Sequence, residues 1–330
     1  MGRPVKIFIE ITRNYDRQIP QFISQYQHRG FDVQSYYSND YDIMPKNTIE
    51  EMFLNCDIAV TCTSPLTTRM IDLAPKLQLI CAFGAGFDHI DVNAATARRI
   101  PVVNGRGGNA IAVSEQVVGM MIALSRNFMQ MDHEMRKGLW RSQLGFELHG
   151  KTVGIVGMGA VGCELARVLF CGFGVKILAC DICENPDMVQ RYHVEYVDLK
   201  RLCEKSDYIS IHTPLSPTTR GLIGQEEIAM MKRSAFLINT SRGGVVDEQA
   251  LLGALSNKSI AGAALDVFEQ EPYRDNQFAN FDNVITTTHC AANTPETAQR
   301  IAGLLSECID DVLEGKRPRH NVVNPEIYMH

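Results

Sequence analysis

One tryptophan, Trp140, stands in a chain of 330 residues, and charge of neither sign dominates: 32 Lys and Arg against 38 Asp and Glu leave −6. No run of basic residues is longer than Lys316-Arg317-Pro318-Arg319. A groove that tracks phosphates needs clustered cations, so nucleic acid is excluded as the main partner. Long apolar stretches are also missing. Val117-Val118-Gly119-Met120-Met121-Ile122-Ala123-Leu124 falls far short of a membrane span. The opening Met1-Gly2-Arg3-Pro4-Val5-Lys6 holds no signal-peptide core, and Lys6 breaks the myristoylation pattern. These absences predict a soluble, cytoplasmic protein with no membrane partner. Low-complexity segments and solenoid-type periods are missing too.

Cysteine is plentiful, with ten residues scattered mostly through apolar runs, where a reduced thiol acts as a small hydrophobe. Cys180 and Cys183 alone have CxxC spacing, and without a second such pair no zinc site is expected. Two packing cysteines are the favoured reading; a redox dithiol that weakens cofactor binding on oxidation is the alternative.

What is present is material for a large core. Hydrophobic residues make up 45% and charged residues 21%, and at about 150 residues per domain the length predicts two domains. Short apolar strands alternate with helical patterns, which points to parallel sheets in α/β layers. Strands are predicted at Val5–Ile11, Phe31–Tyr36, Asp57–Thr61, Gln78–Ala82 and Pro101–Val103. A second set falls at Thr152–Val156, Val175–Cys180, Tyr208–His212, Phe236–Asn239, Gly262–Leu265 and Val284–Thr287. A helix is predicted from about Asn109 to Asn127. Its segment Val117 to Leu124 is apolar on every face, so it must be buried between domains or against another subunit, and the subunit interface is favoured. The last helix is predicted over Pro295 to Leu313.

Gly157-Met158-Gly159-Ala160-Val161-Gly162 is a GxGxxG whose context can be checked. The apolar run Val153 to Val156 precedes it. Val161, Leu165, Val168 and Leu169 then share one helical face, Gly172 and Gly174 break the helix, and the next strand follows. From Thr152 to Asp181 the unit spans thirty residues, the length of a βαβ crossover, and Asp181 lies 19 residues after Gly162. Gly157 permits the tight turn, Gly159 leaves room for a pyrophosphate, and Gly162 lets helix and strand approach. The helix start at Ala160 and Val161 offers N–H groups to the phosphates. Asp181 would accept from ribose hydroxyls and repel a 2′-phosphate, with no cation at Ile182 or Cys183 to compensate. NAD is therefore expected over NADP.

Three ionisable residues follow at strand ends: Arg242 after Leu237–Asn239, Glu271 past Leu265-Asp266, and His289 after Val284–Thr288. Ligands of open α/β sheets collect beyond the carboxyl ends of strands. An Arg that binds a carboxylate bidentately, an imidazole that exchanges a proton with the C2 oxygen, and a Glu that steadies the imidazolium suit a 2-hydroxy or 2-oxo acid beside a nicotinamide. Taken singly, each has a plainer use: a structural histidine, an arginine capping a helix, a solvated turn. Spacing alone does not single out this trio.

The chain resembles the D-isomer-specific 2-hydroxyacid dehydrogenase family over most of its length. The resemblance is carried by Gly84-Ala85-Gly86-Phe87-Asp88-His89-Ile90-Asp91, Asn109 to Glu115, Glu147 to Gly154 and Gly157 to Gly162. It continues through His212-Thr213-Pro214-Leu215, Asn239 to Gly243, Asp266 to Pro272, His289 and Val323-Asn324-Pro325. It implies two domains with a cleft between them: a discontinuous flavodoxin-like catalytic domain, 1–103 and 299–330, and a Rossmann NAD-binding domain, 104–298. It assigns catalysis to Arg242, Glu271 (rather than Glu269) and His289. Asp266 would grip the nicotinamide carboxamide, Thr213, Pro214 and Thr240 would line the dinucleotide, and the N–H groups at Ala85 and Gly86 would receive the substrate carboxylate along with Arg242 and His289. It also implies a homodimer through the NAD lobe.

Two positions depart from the family's habit. Arg106 replaces a common Pro and either touches cofactor or substrate or faces water, and Thr288 replaces a Pro often found before the His. Similar formate dehydrogenases carry Gln where Glu271 stands, which disfavours that activity. Phosphoglycerate dehydrogenases usually place an Arg near the first lobe's second strand, whereas Val60-Thr61-Cys62-Thr63-Ser64-Pro65 has no cation, and no regulatory domain is expected after the last helix. The expected activity is NAD-dependent exchange between a small D-2-hydroxy acid and its 2-oxo acid, of the glyoxylate, hydroxypyruvate or short branched class. The alternatives are phosphoglycerate oxidation and an NAD-sensing protein like the C-terminal-binding corepressors, which keep the trio. Trp140 aligns with a family Trp; core packing is its default role, and shaping a partner subunit's substrate pocket is the sharper one.

Overall fold

The computed structural model describes residues 3–38, 46–275 and 277–329. The chain divides into two compact units, 1–109 with 293–330, and 110–292. The boundaries fall at 109/110 and 292/293 rather than at 103/104 and 298/299, for packing reasons. A side chain on Gly105 or Gly108 would lie 2.8 Å from Ile301, so the glycine turn packs on the last helix, and that helix begins at Pro295. Turn and helix therefore stay in the first unit.

The first unit holds β1 (Lys6–Thr12), β2 (Asp32–Ser38), β3 (Ile58–Thr61), β4 (Leu79–Ala82) and β5 (Val102–Asn104). They form one sheet in the order β2-β1-β3-β4-β5 with every pair parallel. This is the flavodoxin-like order. β3, β4 and β5 are buried on both faces, which is why they read as unbroken apolar runs without alternation. Ile7, Ile9, Val60, Cys81 and Leu305 pack one face, and Phe8, Phe53, Ile71, Ile80 and Val102 pack the other. The helix Pro295–Leu313 starts where Thr294 accepts the Thr297 N–H at 3.1 Å. The tail then returns to the sheet: buried Asn324 accepts the Val102 N–H at 2.8 Å and donates to the Ile100 carbonyl at 2.9 Å.

The second unit holds β6 (Thr152–Val156), β7 (Lys176–Cys180), β8 (Glu195–Tyr196), β9 (Tyr208–Ile211), β10 (Phe236–Asn239), β11 (Gly262–Leu265) and β12 (Val284–Thr286). The order is β12-β11-β10-β9-β6-β7-β8, again with every pair parallel. Strand order reverses beside β6, so the crevice between the ends of β6 and β9 is the topological switch point. The edge strand β8 has only two residues and leaves no mark on the hydropathy pattern. One expected break is absent: the helix Ala160–Phe173 runs through Gly172, and Gly174, with φ +59°, ends it.

The helix Ala110–Ser125 packs on Ala160–Phe173 through Val117, Met121 and Leu124, yet Ile111 is exposed and Val118 and Ile122 are half-buried. Its apolar outer face continues into Phe128, Met129, Met135, Trp140 and Leu144, all exposed. Trp140, 90% exposed, is not a core residue of the chain, because no element of its own unit covers it. No described helix is long and apolar enough to cross a membrane.

Candidate active site

At the switch point each glycine of the turn has its own constraint. Gly157 has φ +98°, and a Cβ there would lie 2.8 Å from the His212 carbonyl at the end of β9. A Cβ on Gly162 would lie 2.1 Å from the Gly157 oxygen, so only glycine lets the helix start beneath the turn. Gly159 has open space around it and ends the turn with no side-chain cap, leaving the first N–H groups of the helix facing the crevice.

Asp181, immediately after β7, accepts the Met158 N–H at 2.5 Å and the Cys183 N–H at 3.2 Å, so the acid also holds the glycine turn in place. The Cys180/Cys183 pair is not a packed couple, because Cys183 is exposed while only Cys180 is half-buried; both thiols are free. On the other side of the crevice, the hydroxyls of Thr213, after β9, and Thr240, after β10, are buried without a hydrogen-bond partner. A buried hydroxyl left unpaired at a strand end marks a place where a polar ligand group belongs. Open space at Gly159 and two unsatisfied buried hydroxyls leave this place fit for a dinucleotide. His212 accepts or donates at Ser210 Oγ, 2.8 Å away, and burial pushes its imidazole down to about 3, which keeps it neutral. Pro214 follows, exposed.

The three ionisable residues meet beyond the ends of β10, β11 and β12. Asn239 shapes the first turn, donating to the Arg242 carbonyl at 2.9 Å and accepting from the Ser241 N–H at 3.0 Å. Gly243 brings that turn against the next, since a Cβ there would lie 1.9 Å from the Phe268 carbonyl carbon. Past Phe268 the chain carries Glu271, whose Oε1 accepts the Phe268 N–H at 3.0 Å and whose Oε2 lies 2.7 Å from His289 Nδ1. Burial pushes the Glu271 carboxyl upward. The His289 hydrogen bond and charge, the Phe268 N–H and the Arg242 charge outweigh that and hold it below the usual range. Glu269 turns away to Glu248, to which its N–H donates at 2.6 Å.

His289 has left-handed backbone, φ +53°, and its N–H donates to the Asp266 carbonyl at 2.7 Å. The Asp266 carboxylate, 1% exposed, accepts from Thr287 Oγ1 at 2.5 Å and from the N–H groups of Cys290 and Ala291, both at 2.9 Å. In the sequence Asn239 and Gly243 stand only as part of the family motif Asn239 to Gly243; the turn packing shows what each does.

In the first unit, Ala85 and Gly86 follow β4. Asn104 donates to the Ala85 carbonyl at 2.7 Å, while the N–H groups of Ala85 and Gly86 donate to no protein group among the described residues. Arg106 is exposed, with its N–H on Asn104 Oδ1 at 3.3 Å and its carbonyl accepting from Asn321 at 2.9 Å. No group of side chains able to hold a metal occurs among the described residues.

The profile of the D-isomer specific 2-hydroxyacid dehydrogenase NAD-binding domain matches residues 118–291, more than half the chain. The chain belongs to this family. A glyoxylate reductase of Korarchaeum cryptofilum is 39% identical over 86% of this dehydrogenase and 87% of its own length. A D-3-phosphoglycerate dehydrogenase of Methanocaldococcus jannaschii is 40% identical over 85% of this chain but only 54% of its own. Among solved structures, the apo D-lactate dehydrogenase of Escherichia coli superposes with TM-score 0.80 at 27% identity, covering 97% of this chain and 100% of that one. The D-lactate dehydrogenase of Aquifex aeolicus, complexed with NAD and lactic acid, has TM-score 0.79 at 26% identity over 94% and 96%. The dehydrogenase is thus an NAD-dependent oxidoreductase acting on D-2-hydroxy acids, on an α/β fold with a Rossmann sheet.

The contact between Gly162 and the turn makes a direct test. Gly162→Val forces apart two backbones, so the affinity for NADH, read by quenching of protein fluorescence or by calorimetry, should fall by about tenfold or more.

Proposed function

We propose that this dehydrogenase reduces a small, non-phosphorylated 2-oxo acid of the glyoxylate or hydroxypyruvate class, with Arg242, Glu271 and His289 as its working groups. The observation that carries the reading is the 2.7 Å bond between His289 Nδ1 and Glu271, formed where the Arg242 charge also reaches the carboxylate. With Nδ1 on Glu271, Nε2 is the ring nitrogen that would exchange a proton with the C2 oxygen of the substrate. Arg242 offers a planar fork to the substrate carboxylate and polarises the C2 carbonyl. Glu271 holds the ring in one orientation. NAD, when bound, supplies or accepts the hydride. Gly157, Gly159, Ala160, Val161 and Gly162 would hold its pyrophosphate, Asp181 its ribose, and Thr213, Pro214 and Thr240 its flank. Asp266 retains acceptor capacity on Oδ2 for the carboxamide, and the free amides of Ala85 and Gly86 suit the substrate carboxylate. The resemblance to glyoxylate reductases along nearly their whole length supports the substrate class. The phosphoglycerate dehydrogenases it resembles are about twice as long as the matched part.

A second copy of the chain belongs on the apolar face running from Ile111 to Leu144, where Leu144 is 92% exposed. A bare apolar strip of this length calls for a cover, and in a homodimer Trp140 would reach the partner's substrate pocket. Ten free cysteines suit a reducing cytoplasm.

An NADH-oxidation screen across 2-oxo acids tests the activity. Arg242→Ala should lower kcat/KM by about 10²–10³-fold, the usual loss for a donor to developing oxygen charge; turnover equal to the parent's would remove Arg242 from the chemistry. Reduction uses the protonated imidazole and oxidation the neutral one, so kcat/KM for reduction should fall as pH rises, and for oxidation as pH falls. Glu271→Gln, which removes the charged brace of the imidazole, should lower kcat/KM about tenfold or more in both directions. Sedimentation should give a dimer for the parent and a monomer for the double variant Trp140→Glu, Leu144→Glu.

A further inference from the structure

Glu10 ends up fully buried near the carboxyl end of β1, and no Lys, Arg or His pairs with it among the described residues. Six hydrogen bonds replace the missing cation. Oε1 accepts from Ser38 Oγ at 2.9 Å and Thr63 Oγ1 at 3.1 Å. Oε2 accepts from Thr61 Oγ1 at 3.0 Å and from three successive amides, Cys62 at 2.8 Å, Thr63 at 3.2 Å and Ser64 at 3.3 Å. Consecutive N–H groups converging on one point make an anion-binding nest, and here the chain's own carboxylate fills it. Burial pushes this carboxyl upward, but the amide and hydroxyl donors outweigh burial and hold it below the usual range, so it is charged.

The nest has a particular neighbour. β3 and β4 pair with Thr61 opposite Ala82, the Phe83 N–H donates to the Thr61 carbonyl at 2.7 Å, and Cys62 Sγ lies 3.6 Å from the Phe83 carbonyl. The loop over Glu10 therefore runs beside the turn Gly84-Ala85-Gly86, whose free amides suit the substrate carboxylate. Because its three amides all point inward to Glu10, the loop has none to offer a second anionic group on the substrate. The buried charge below it is also poorly screened by salt.

We propose that Glu10 is a specificity-determining residue: by filling the Cys62–Ser64 nest with its own charge, it confines the enzyme to 2-oxo acids bearing one negative group and rejects phosphorylated ones. This rests on the proposed reduction of 2-oxo acids. The test compares kcat/KM for hydroxypyruvate and 3-phosphohydroxypyruvate in the parent, Glu10→Gln and Glu10→Asp. The parent should favour hydroxypyruvate by about a hundredfold or more, and Glu10→Gln, which keeps the shape and removes the charge, should narrow the ratio about tenfold through the KM of the phosphorylated acid. Glu10→Asp keeps the charge and should keep the parent's ratio. A merely structural residue would lower kcat for both acids and leave the ratio where it was. An unchanged ratio in Glu10→Gln, or a parent that reduces both acids equally well, overturns the assignment. If Glu10→Gln does not fold, the parent's own ratio decides. A parent that reduces no 2-oxo acid overturns the functional reading, and this assignment with it, which is a different result from turnover without discrimination.

Discussion

The buried carboxylate of Asp266 is the constraint on which the site depends. It sits at the end of β11, and its backbone carbonyl and side chain together take four hydrogen bonds from the segment Thr287 to Ala291. Left-handed backbone at a non-glycine residue such as His289 costs free energy, and it persists where surrounding bonds over-determine it. With the N–H of His289 and those of the next two residues all tied to Asp266, the imidazole has one place to go. That place is against Glu271. Removing the carboxylate would leave several buried donors unpaired, a cost of about 1–3 kcal/mol each.

A similar economy of space governs the other strand ends. Gly157 and Gly162 let the cofactor turn close on β9 and on its own helix, and Gly243 lets the Arg242 turn touch the segment carrying Glu271. In each case a Cβ would collide with backbone, which cannot move aside as a side chain can. Functional groups from sequence positions far apart are brought together because strands end in one plane and the glycines let their turns crowd there. In the first unit the same crowding at the ends of β3 and β4 sets the Glu10 nest beside the Ala85 turn.

Much of the architecture was legible in the residue order. A strand buried on both faces is an unbroken apolar run bounded by turn residues, so β6, β10 and β11 were read to the residue. The last helix, with its Pro start, was equally plain. β8 was not, because two residues on a sheet edge carry no periodicity. Gly172 misled, since a glycine costs a helix only about 1 kcal/mol and tertiary packing overrides it. Trp140 had core packing as its default role and a partner subunit's pocket as the alternative; it is exposed, and hydrophobicity by itself does not say which chain covers a side chain.

The sequence by itself determined the parallel α/β class, the GxGxxG unit with its acid at Asp181, and NAD as the cofactor. These are local patterns, whose physical cause lies within some thirty consecutive residues. The family resemblance named Arg242, Glu271 and His289; the bond between Glu271 and His289, the contact of Glu269 with Glu248 instead, the bracket at Asp266 and the buried charge at Glu10 came only from tertiary structure. Each is a contact between segments whose spacing along the chain says nothing about their distance in space. Strand order and turn packing supply that distance, and both follow from how the sheets bury their faces.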